Sequence, residues 1–283
     1  MGCSEQAMPG IVGRAQALLL RLSLYGRISV FVSSIVLALF LAFGYLGWEA
    51  VNRTTASTLD ERRAIARVIR HHLDDLIGHA HAHLVSVAFQ LAEKEPELDP
   101  ERVEHITALA FYQLDFFFSH LLVFDHENRL VASTPSGAAP QLHEDERAIL
   151  DQALASRRPA ISNLVRLPVT DTLGILFVAP IVRDGRSVGV VAGEMRLPHV
   201  SISGLAEGLE LGRTGHMEIL DGNSRVISGT DAERFGLETE HPNFYPPLLK
   251  TRQSSIGPTH TTDEGSNLEP HIMAFAPLTH APW

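Results

Sequence analysis

Two segments of this chain, about 96 residues apart, resemble each other in sequence. The first reads Leu122-Val-Phe-Asp125-His-Glu-Asn-Arg129-Leu-Val-Ala-Ser133, and the second reads Glu218-Ile-Leu-Asp221-Gly-Asn-Ser-Arg225-Val-Ile-Ser-Gly229. A second matching pair, residues 175–181 and 272–278, follows in the same order at nearly the same offset. A period near 100 residues is longer than that of a solenoid and equals the size of one small domain, so the repeat predicts two tandem modules of one fold.

An uncharged apolar run of 21 residues, 28–48, precedes both modules. At 1.5 Å per residue, a helix of this length covers about 30 Å, the thickness of a bilayer core, so the run predicts a transmembrane helix. The alternative is a cleavable secretory signal, but 27 residues precede the run and Trp48-Glu49-Ala50 is a poor cleavage site. We therefore expect an uncleaved membrane anchor.

The charge pattern indicates how the chain is oriented. Three arginines against a single glutamate in residues 1–27 favour a cytoplasmic N-terminal segment, which places residues 49–283 in the periplasm or outside the cell. A formal net charge of -10, without a basic patch, excludes a nucleic-acid-binding surface. The single cysteine, Cys3, precedes the anchor, so the exported region is expected to fold without a disulfide.

The next segment, 49–98, is predicted to be a long helix between the membrane and the two modules. Residues 51–94 contain no proline, and their apolar residues recur at intervals typical of an amphipathic helix. A stripe sustained over this length resembles a coiled-coil seam, so we also expect a homodimer along this helix. The stripe consists of Leu59, Ala66, Ile69, Leu73, Leu76, Ala80, Leu84, Val87 and Leu91.

The remaining patterns predict an α+β fold with two PAS-like modules, at 99–200 and 201–283. In the first module, five antiparallel strands are expected with helices packed on one side. Its helices are predicted at 99–112 and 144–156, and its strands at 120–125, 129–133, 160–166, 175–182 and 187–197. The second module is predicted to contain a linking helix, a hairpin, a short helix and a loop, at 200–212, 217–229, 244–251 and 254–270.

Three features together resemble the double Cache family, the tandem PAS-like extracellular sensor regions of bacterial transmembrane receptors. They are the anchor followed by a long helix, Ala179-Pro180-Ile-Val-Arg-Asp-Gly185-Arg-Ser-Val-Gly189-Val, and Gly212-Arg-Thr-Gly215-His-Met-Glu-Ile-Leu-Asp221-Gly. The resemblance covers 49–283. It implies a small extracellular ligand in the membrane-distal module 99–200, no cofactor, and a membrane-proximal second module.

The resemblance also implies an output outside these residues, which are expected to carry no catalytic site. A sensor histidine kinase is the first expectation, and a chemotaxis receptor or a diguanylate cyclase is the alternative. Aligning Pro180 with Pro277 sets Trp283 opposite Arg186, in the turn before the last strand of the first module. The repeat therefore predicts that the second module is truncated here, and that the natural chain continues into that strand and a second membrane helix.

Five residues are candidates for a ligand pocket in the first module. Glu194 interrupts an apolar strand and is expected on the same face as Val188, Val190 and Ala192, where it either binds a ligand or pairs with Arg196 or solvent. Arg166 and Asp171 lie where family pockets open, and an arginine fork suits a carboxylate ligand, although a solvated loop arginine is the alternative. Tyr112 and Phe117 are candidates for the roof of the pocket, or for the core.

Histidines on the long helix suggest a different class of function. His79 and His83 are four residues apart, and His72 lies two turns earlier, a spacing that can bind a zinc or copper ion. They are weak metal candidates because no cysteine or glutamate accompanies the pair, and a pH switch is another possibility. The alternative function is therefore a membrane-anchored periplasmic metal-binding or interaction protein.

Overall fold

The computed structural model describes residues 23–95, 97–137, 140, 142–196, 217–239, 245, 248, 250, 255–260 and 270–283. The chain divides into two compact units, Met1–Asp60 and Glu61–Trp283. The linking helix predicted at 200–212 lies outside the described residues. Of the helix predicted at 244–251, only residues 245, 248 and 250 are described, and all three are helical.

The first helix, α1, runs without a break from Leu24 to Lys94 over 71 residues. Its first part, Leu24–Thr54, has a mean hydropathy of 2.3 and buries none of its apolar window. This part is long and apolar enough to cross a membrane. The sequence divided the segment into an anchor and a separate long helix, but the two lie on one continuous helix.

Within the second unit, α1 buries one stripe of apolar side chains at helical spacing. The sequence predicted Leu76 in this stripe, but Ile77 is buried and Leu76 is only half-buried. The stripe that contains Ile77 instead of Leu76 still has only three-residue and four-residue steps, the spacing that keeps a stripe on one side of a helix. The buried stripe contains Ile69, Leu73, Ile77, Ala80, Leu84, Val87 and Leu91.

The first module is a five-stranded antiparallel sheet in the order β2-β1-β5-β4-β3. Its strands are β1 (His120–Asp125), β2 (Leu130–Thr134), β3 (Ala160–Arg166), β4 (Leu173–Arg183) and β5 (Arg186–Met195). Two helices accompany it, α2 (Pro100–Leu114) and α3 (Glu144–Ser156). Each element agrees with its predicted position to within about two residues, because strand alternation and capping residues are local signals.

The helices of the first module pack on both faces of the sheet, so the prediction that they lie on one side is wrong. One apolar cluster joins Phe177 of β4 to side chains of α1 and α2. The other joins Val178 of β4 to Leu150 and Ala153 of α3. Because β4 is apolar at successive positions rather than at alternate ones, both of its faces need a covering layer.

Among the residues that the structure describes, the second module contains two antiparallel pairs of strands. Strands β6 (Glu218–Leu220) and β7 (Val226–Gly229) confirm the predicted hairpin. The prediction of a loop at 254–270 is wrong in part, because Ser255–His260 forms strand β8. This strand pairs antiparallel with β9 (Pro270–Phe275). Residues 276–283 contain no strand, unlike their counterparts Ala179 to Arg183 in β4.

The repeated segments form the same turn in both modules. Asp125 Oδ1 accepts the backbone N–H groups of Glu127 and Arg129, at 2.8 and 2.9 Å. Asp221 Oδ1 accepts those of Asn223 and Arg225 at the same two distances. An aspartate whose side chain mimics a backbone turn in this way explains why the aspartate recurs in the repeat.

Arg183, at the end of β4, binds the C-terminal end of α1. Its guanidinium donates to Ala92 O at 3.0 and 2.6 Å and to Glu95 O at 3.0 Å, groups that lack partners within the helix. We expect Arg183→Met to lower the free energy of unfolding by about 2 kcal/mol, measured by urea denaturation. Arg186→Met, at an exposed position on β5, is the control and should change it by less than about 0.5 kcal/mol. Equal losses would contradict the role of Arg183.

Candidate functional site

Glu194 lies on β5, the central strand of the first module, and is completely buried. Its neighbours across the sheet are His120 on β1 and Leu176 on β4. Burying a carboxylate costs several kcal/mol unless hydrogen bonds or an opposite charge compensate for the lost water. The surroundings of Glu194 therefore decide whether it has a structural role or is available to a ligand.

The two oxygens of Glu194 differ in their surroundings. Oε1 accepts the backbone N–H of Val169 at 2.6 Å, in the loop between β3 and β4. Oε2 is buried and has no hydrogen-bond partner among the described residues. His120 Nδ1 approaches it to 3.3 Å, but without the geometry of a hydrogen bond. Arg196, the expected structural partner, does not bind this side chain, and the side chain is not exposed to bulk solvent.

A buried acceptor without a partner is rare in folded proteins and needs an explanation. Glu194 follows Val190 and Ala192 on the face of the sheet that α3 covers, as predicted. Val188 was expected on the same face but packs instead with the cluster on the α1 side. The free oxygen of Glu194 can accept a hydrogen bond from, or pair with the positive charge of, a molecule that enters between sheet and loop.

Sequence reasoning missed His120 and the backbone of Val169. The side chain of His120 is 16% exposed and lies beside both Glu194 and Ser119. A polar residue at the start of the apolar strand β1 was the available signal, because strand alternation alone does not say which strands become neighbours. Val169 contributes its backbone N–H, a group that nearly every residue has, so no residue type in the sequence indicates it.

Arg166 and Asp171 are brought together, but with each other rather than with Glu194. Arg166 Nη1 donates to Asp171 O at 3.0 Å and approaches Asp171 Oδ1 to 3.4 Å, and both side chains are more than half exposed. The pair closes the loop that presents Val169. In this arrangement part of the arginine fork is occupied by its own loop.

Tyr112 and Phe117 lie on the opposite side of the sheet from Glu194. Tyr112 is 81% exposed on α2, while Phe117 is half-buried against the cluster on the α1 side. Phe118 follows and is buried, with its ring centroid 5.4 Å from that of Phe177. The structure does not bring these two predicted residues to the buried carboxylate.

The histidine candidates for metal binding are exposed on α1. His72, His79 and His83 all face solvent, and His79 Nδ1 lies 2.6 Å from its own helix at Asp75 O. Among the residues that the structure describes, no three histidine, cysteine or acidic side chains come together as a metal site. His81, between them, differs because it is half-buried and its Nε2 has no partner among the described atoms.

Acidification should destabilise the protein through His81. Burial, and after it the neighbouring His280, lowers the pKa of His81 below its usual value. The unfolded chain therefore takes up this proton first as the pH falls, and stability present above about pH 6.5 is lost below it. We expect His81→Asn to lose less stability than the wild type between pH 7.5 and 5.5 in urea titrations. His83→Asn, at an exposed position, should behave like the wild type, and a parallel decline in all three proteins would contradict the assignment.

The fold is similar to that of several solved sensor regions. The extracellular domain of rpHK1S-Z16, named as a histidine kinase, matches with a TM-score of 0.64 and 15% identity over 80% of this chain and 92% of that one. The ligand-binding domain of the Pseudomonas aeruginosa chemoreceptor PctB with L-Gln matches with a TM-score of 0.58 and 15% identity, over 78% of this chain and 85% of that one. The ligand-binding domain of the Pseudomonas fluorescens chemoreceptor CtaA with L-isoleucine matches with a TM-score of 0.56 and 14% identity, over 75% of this chain and 84% of that one.

No protein-family model matches the sequence, and no curated protein matches it. At these levels of identity the similarity concerns the fold. The predicted α+β fold, with its apolar N-terminal helix, long helix and antiparallel sheets, is confirmed.

Proposed function

We propose that residues 49–283 form the small-molecule-sensing region of a bacterial membrane receptor. The apolar part of α1 would anchor the receptor in the inner membrane, with the modules in the periplasm or outside the cell. The Cache-like fold supports this proposal, because the solved regions that share it belong to chemoreceptors and a histidine kinase. A binding role rather than catalysis is proposed for these residues.

The observation that carries the proposal is the free oxygen of Glu194. A carboxylate that is completely buried on the central strand, with one oxygen lacking a hydrogen-bond partner among the described residues, reduces stability, and a ligand-binding role would explain why the chain carries it. Binding sites commonly keep such groups, at the expense of stability, because they discriminate strongly between ligands. We therefore place the ligand of the first module against Glu194 and the loop of Val169.

The chemistry of Glu194 favours a ligand with a protonated amine or another hydrogen-bond donor. Such a group would satisfy Oε2, and the ionised carboxylate, which can only accept hydrogen bonds, would disfavour ligands that present an acceptor at the same point. Arg166 and Asp171 would lie at the mouth of the site, on the loop that carries Val169. The complexes of PctB with L-Gln and CtaA with L-isoleucine are examples of amine-bearing ligands in this fold.

The test is a thermal-shift screen of the full chain in detergent with amino acids, polyamines, carboxylates and sugars. A compound that binds only the folded state adds about 2.7 kcal/mol of stability at 100 times its dissociation constant. We expect an amine to raise the melting temperature of the wild type but not of Glu194→Gln. Absence of a shift with every compound, or equal shifts in both proteins, would refute the proposal.

Glu194→Gln should also be at least as stable as the wild type without ligand. Glutamine can still accept from Val169 while the buried charge disappears, so we expect a change between zero and a gain of about 1 kcal/mol. Glu146→Gln is the matched control, because Glu146 is buried on the same side of the sheet but binds His143 in its own helix cap. This variant should keep the ligand response and lose stability. A loss in Glu194→Gln would indicate a structural carboxylate.

For the output, we propose a sensor histidine kinase first, with a chemotaxis receptor or a cyclase as the alternative. We also propose a homodimer along the second half of α1, where Val68, Val85 and Phe89 remain exposed in the single chain. Analytical ultracentrifugation in density-matched detergent tests the dimer. A monomer at all concentrations would contradict it.

A further inference from the structure

Residues 278–283 form a small closed loop that packs into the core of the first module; we call it the latch. The backbone N–H of Leu278 donates to Trp283 O at 2.9 Å, which closes the loop. Leu278, Ala281 and Trp283 are buried in the same cluster as the α1 stripe. The latch therefore belongs to the second module by sequence and to the first by packing.

On one side the latch is held by α1. Asp74 is 7% exposed, and its Oδ1 accepts the backbone N–H groups of Thr279 and His280 at 2.6 and 3.3 Å. Its Oδ2 accepts the Thr279 hydroxyl at 3.0 Å. Gly78, one turn further along, leaves room for the His280 ring, which lies 3.5 Å from where a Cβ would stand. One buried carboxylate thus joins two neighbouring amides and a hydroxyl of the latch to α1.

On the other side the latch is held by β3, an edge strand of the sheet. The Trp283 indole donates to Ser162 O at 3.3 Å. The pairing of β3 with β4 is irregular between Ile161 and Leu164, which frees backbone groups at this point. A second backbone group of β3 also binds the second module: the Leu164 N–H donates to Asp221 Oδ2 at 3.0 Å. The Asn163 side chain of β3 also accepts the Gly222 N–H at 3.0 Å, so β3 is bonded to the second module at three points.

The same strand leads directly into the loop of the proposed ligand site. Val169, whose N–H binds Glu194, is five residues beyond Leu164. Two backbone bonds close this loop just after β3 ends: the Leu167 N–H donates to Thr172 O, and the Asp171 N–H donates to Leu167 O. A ligand that binds Oε2 of Glu194 between the sheet and this loop would move the loop, and the loop is continuous with β3, the strand that the latch contacts.

We propose that the latch couples the Glu194 site to α1, by tying the ligand-side strand β3 to Asp74. The proposal rests on the proposed function for its ligand, but the coupling itself is a property of the free protein. A ligand would shift α1 only if it favours one of two latch positions. Coupling between two sites is reciprocal, so loosening the latch at α1 must loosen the loop at Glu194.

Hydrogen–deuterium exchange of the full chain in detergent, without ligand, tests this reciprocity. We expect Asp74→Ala to raise exchange about tenfold in peptides covering 161–172, the range typical of coupled sites. Asp75→Ala is the matched control, since Asp75 is the next residue of the same helix, is exposed and makes no bond to the latch. Its exchange at 161–172 should equal that of the wild type.

Helix α3, on the other face of the sheet, is the internal reference for global unfolding. Increased exchange at 161–172 with unchanged exchange at 144–156 supports the coupling. Faster exchange confined to 278–283, or an equal increase at 144–156, overturns it. Because no ligand is present, a negative thermal-shift screen would refute the proposed function and leave this result standing.

Discussion

Asp221→Asn is expected to lower the free energy of unfolding by about 3 kcal/mol. Asp221 is completely buried, and its carboxylate accepts three backbone N–H groups, two in its own turn and one from Leu164 of the first module. Asparagine keeps one oxygen for the turn but presents an N–H₂ group to the Leu164 N–H, so two donors face each other. A buried donor left without an acceptor costs more than an average hydrogen bond contributes.

Asp125→Asn provides the control, because Asp125 occupies the same position in the first copy of the repeat. Its Oδ1 makes the same turn, but its Oδ2 binds the Arg129 side chain, which is 68% exposed. We expect a loss below about 1 kcal/mol, since water replaces an exposed ion pair at little cost. Urea denaturation of both variants measures the difference. Equal losses would show that the bond from Leu164 to Asp221 contributes nothing.

Trp283→Ala is expected to lower the free energy of unfolding by about 4 kcal/mol. The Trp283 side chain is 7% exposed and lies in the main apolar cluster, between α1 and β3. Truncation removes this buried surface and leaves a cavity, and both effects destabilise the fold. The latch should also detach from β3, so Ser162 O loses its donor.

Trp283→Phe separates packing from hydrogen bonding. Phenylalanine retains most of the buried ring but has no donor for Ser162, so we expect a loss of about 1 to 2 kcal/mol. The chain has two tryptophans, and Trp48 is 68% exposed on the apolar part of α1. In a Trp48→Phe background, the fluorescence of Trp283 therefore reports burial directly. An emission maximum typical of water-exposed indole in the native state would contradict the buried latch.

Helices and strands of the first module could be predicted because their signals are local. Asp99 caps α2 through the Glu101 N–H, and the apolar stripe of α1 recurs with helical spacing. Strand β8 was missed because its residues resemble a loop, and only its pairing with β9 stabilises an extended backbone. The face of the sheet on which α3 packs was not predicted, because apolar patterning shows that a strand is buried but not which helix covers each face.

Of the candidate site, the sequence pointed to Glu194 but not to the groups that surround it. Glu194 attracted attention because a charge in an apolar strand is costly. Its contacts with His120 and Val169 join segments that are far apart in sequence, so no spacing rule could identify them. Arg166 and Asp171 lie at this loop, and their pairing with each other depends on the path of the main chain.

The two aspartates of the repeat, Asp125 and Asp221, separate what the sequence determines from what only the tertiary structure decides. By itself the sequence determined the apolar helix, the order of elements in the first module and the turn that Asp125 and Asp221 share, because each depends on residues within a few positions. Only the tertiary structure decided that Oδ2 of Asp125 meets Arg129 while Oδ2 of Asp221 meets Leu164. A carboxylate has two oxygens, and what the second one binds depends on which distant backbone the fold brings beside it.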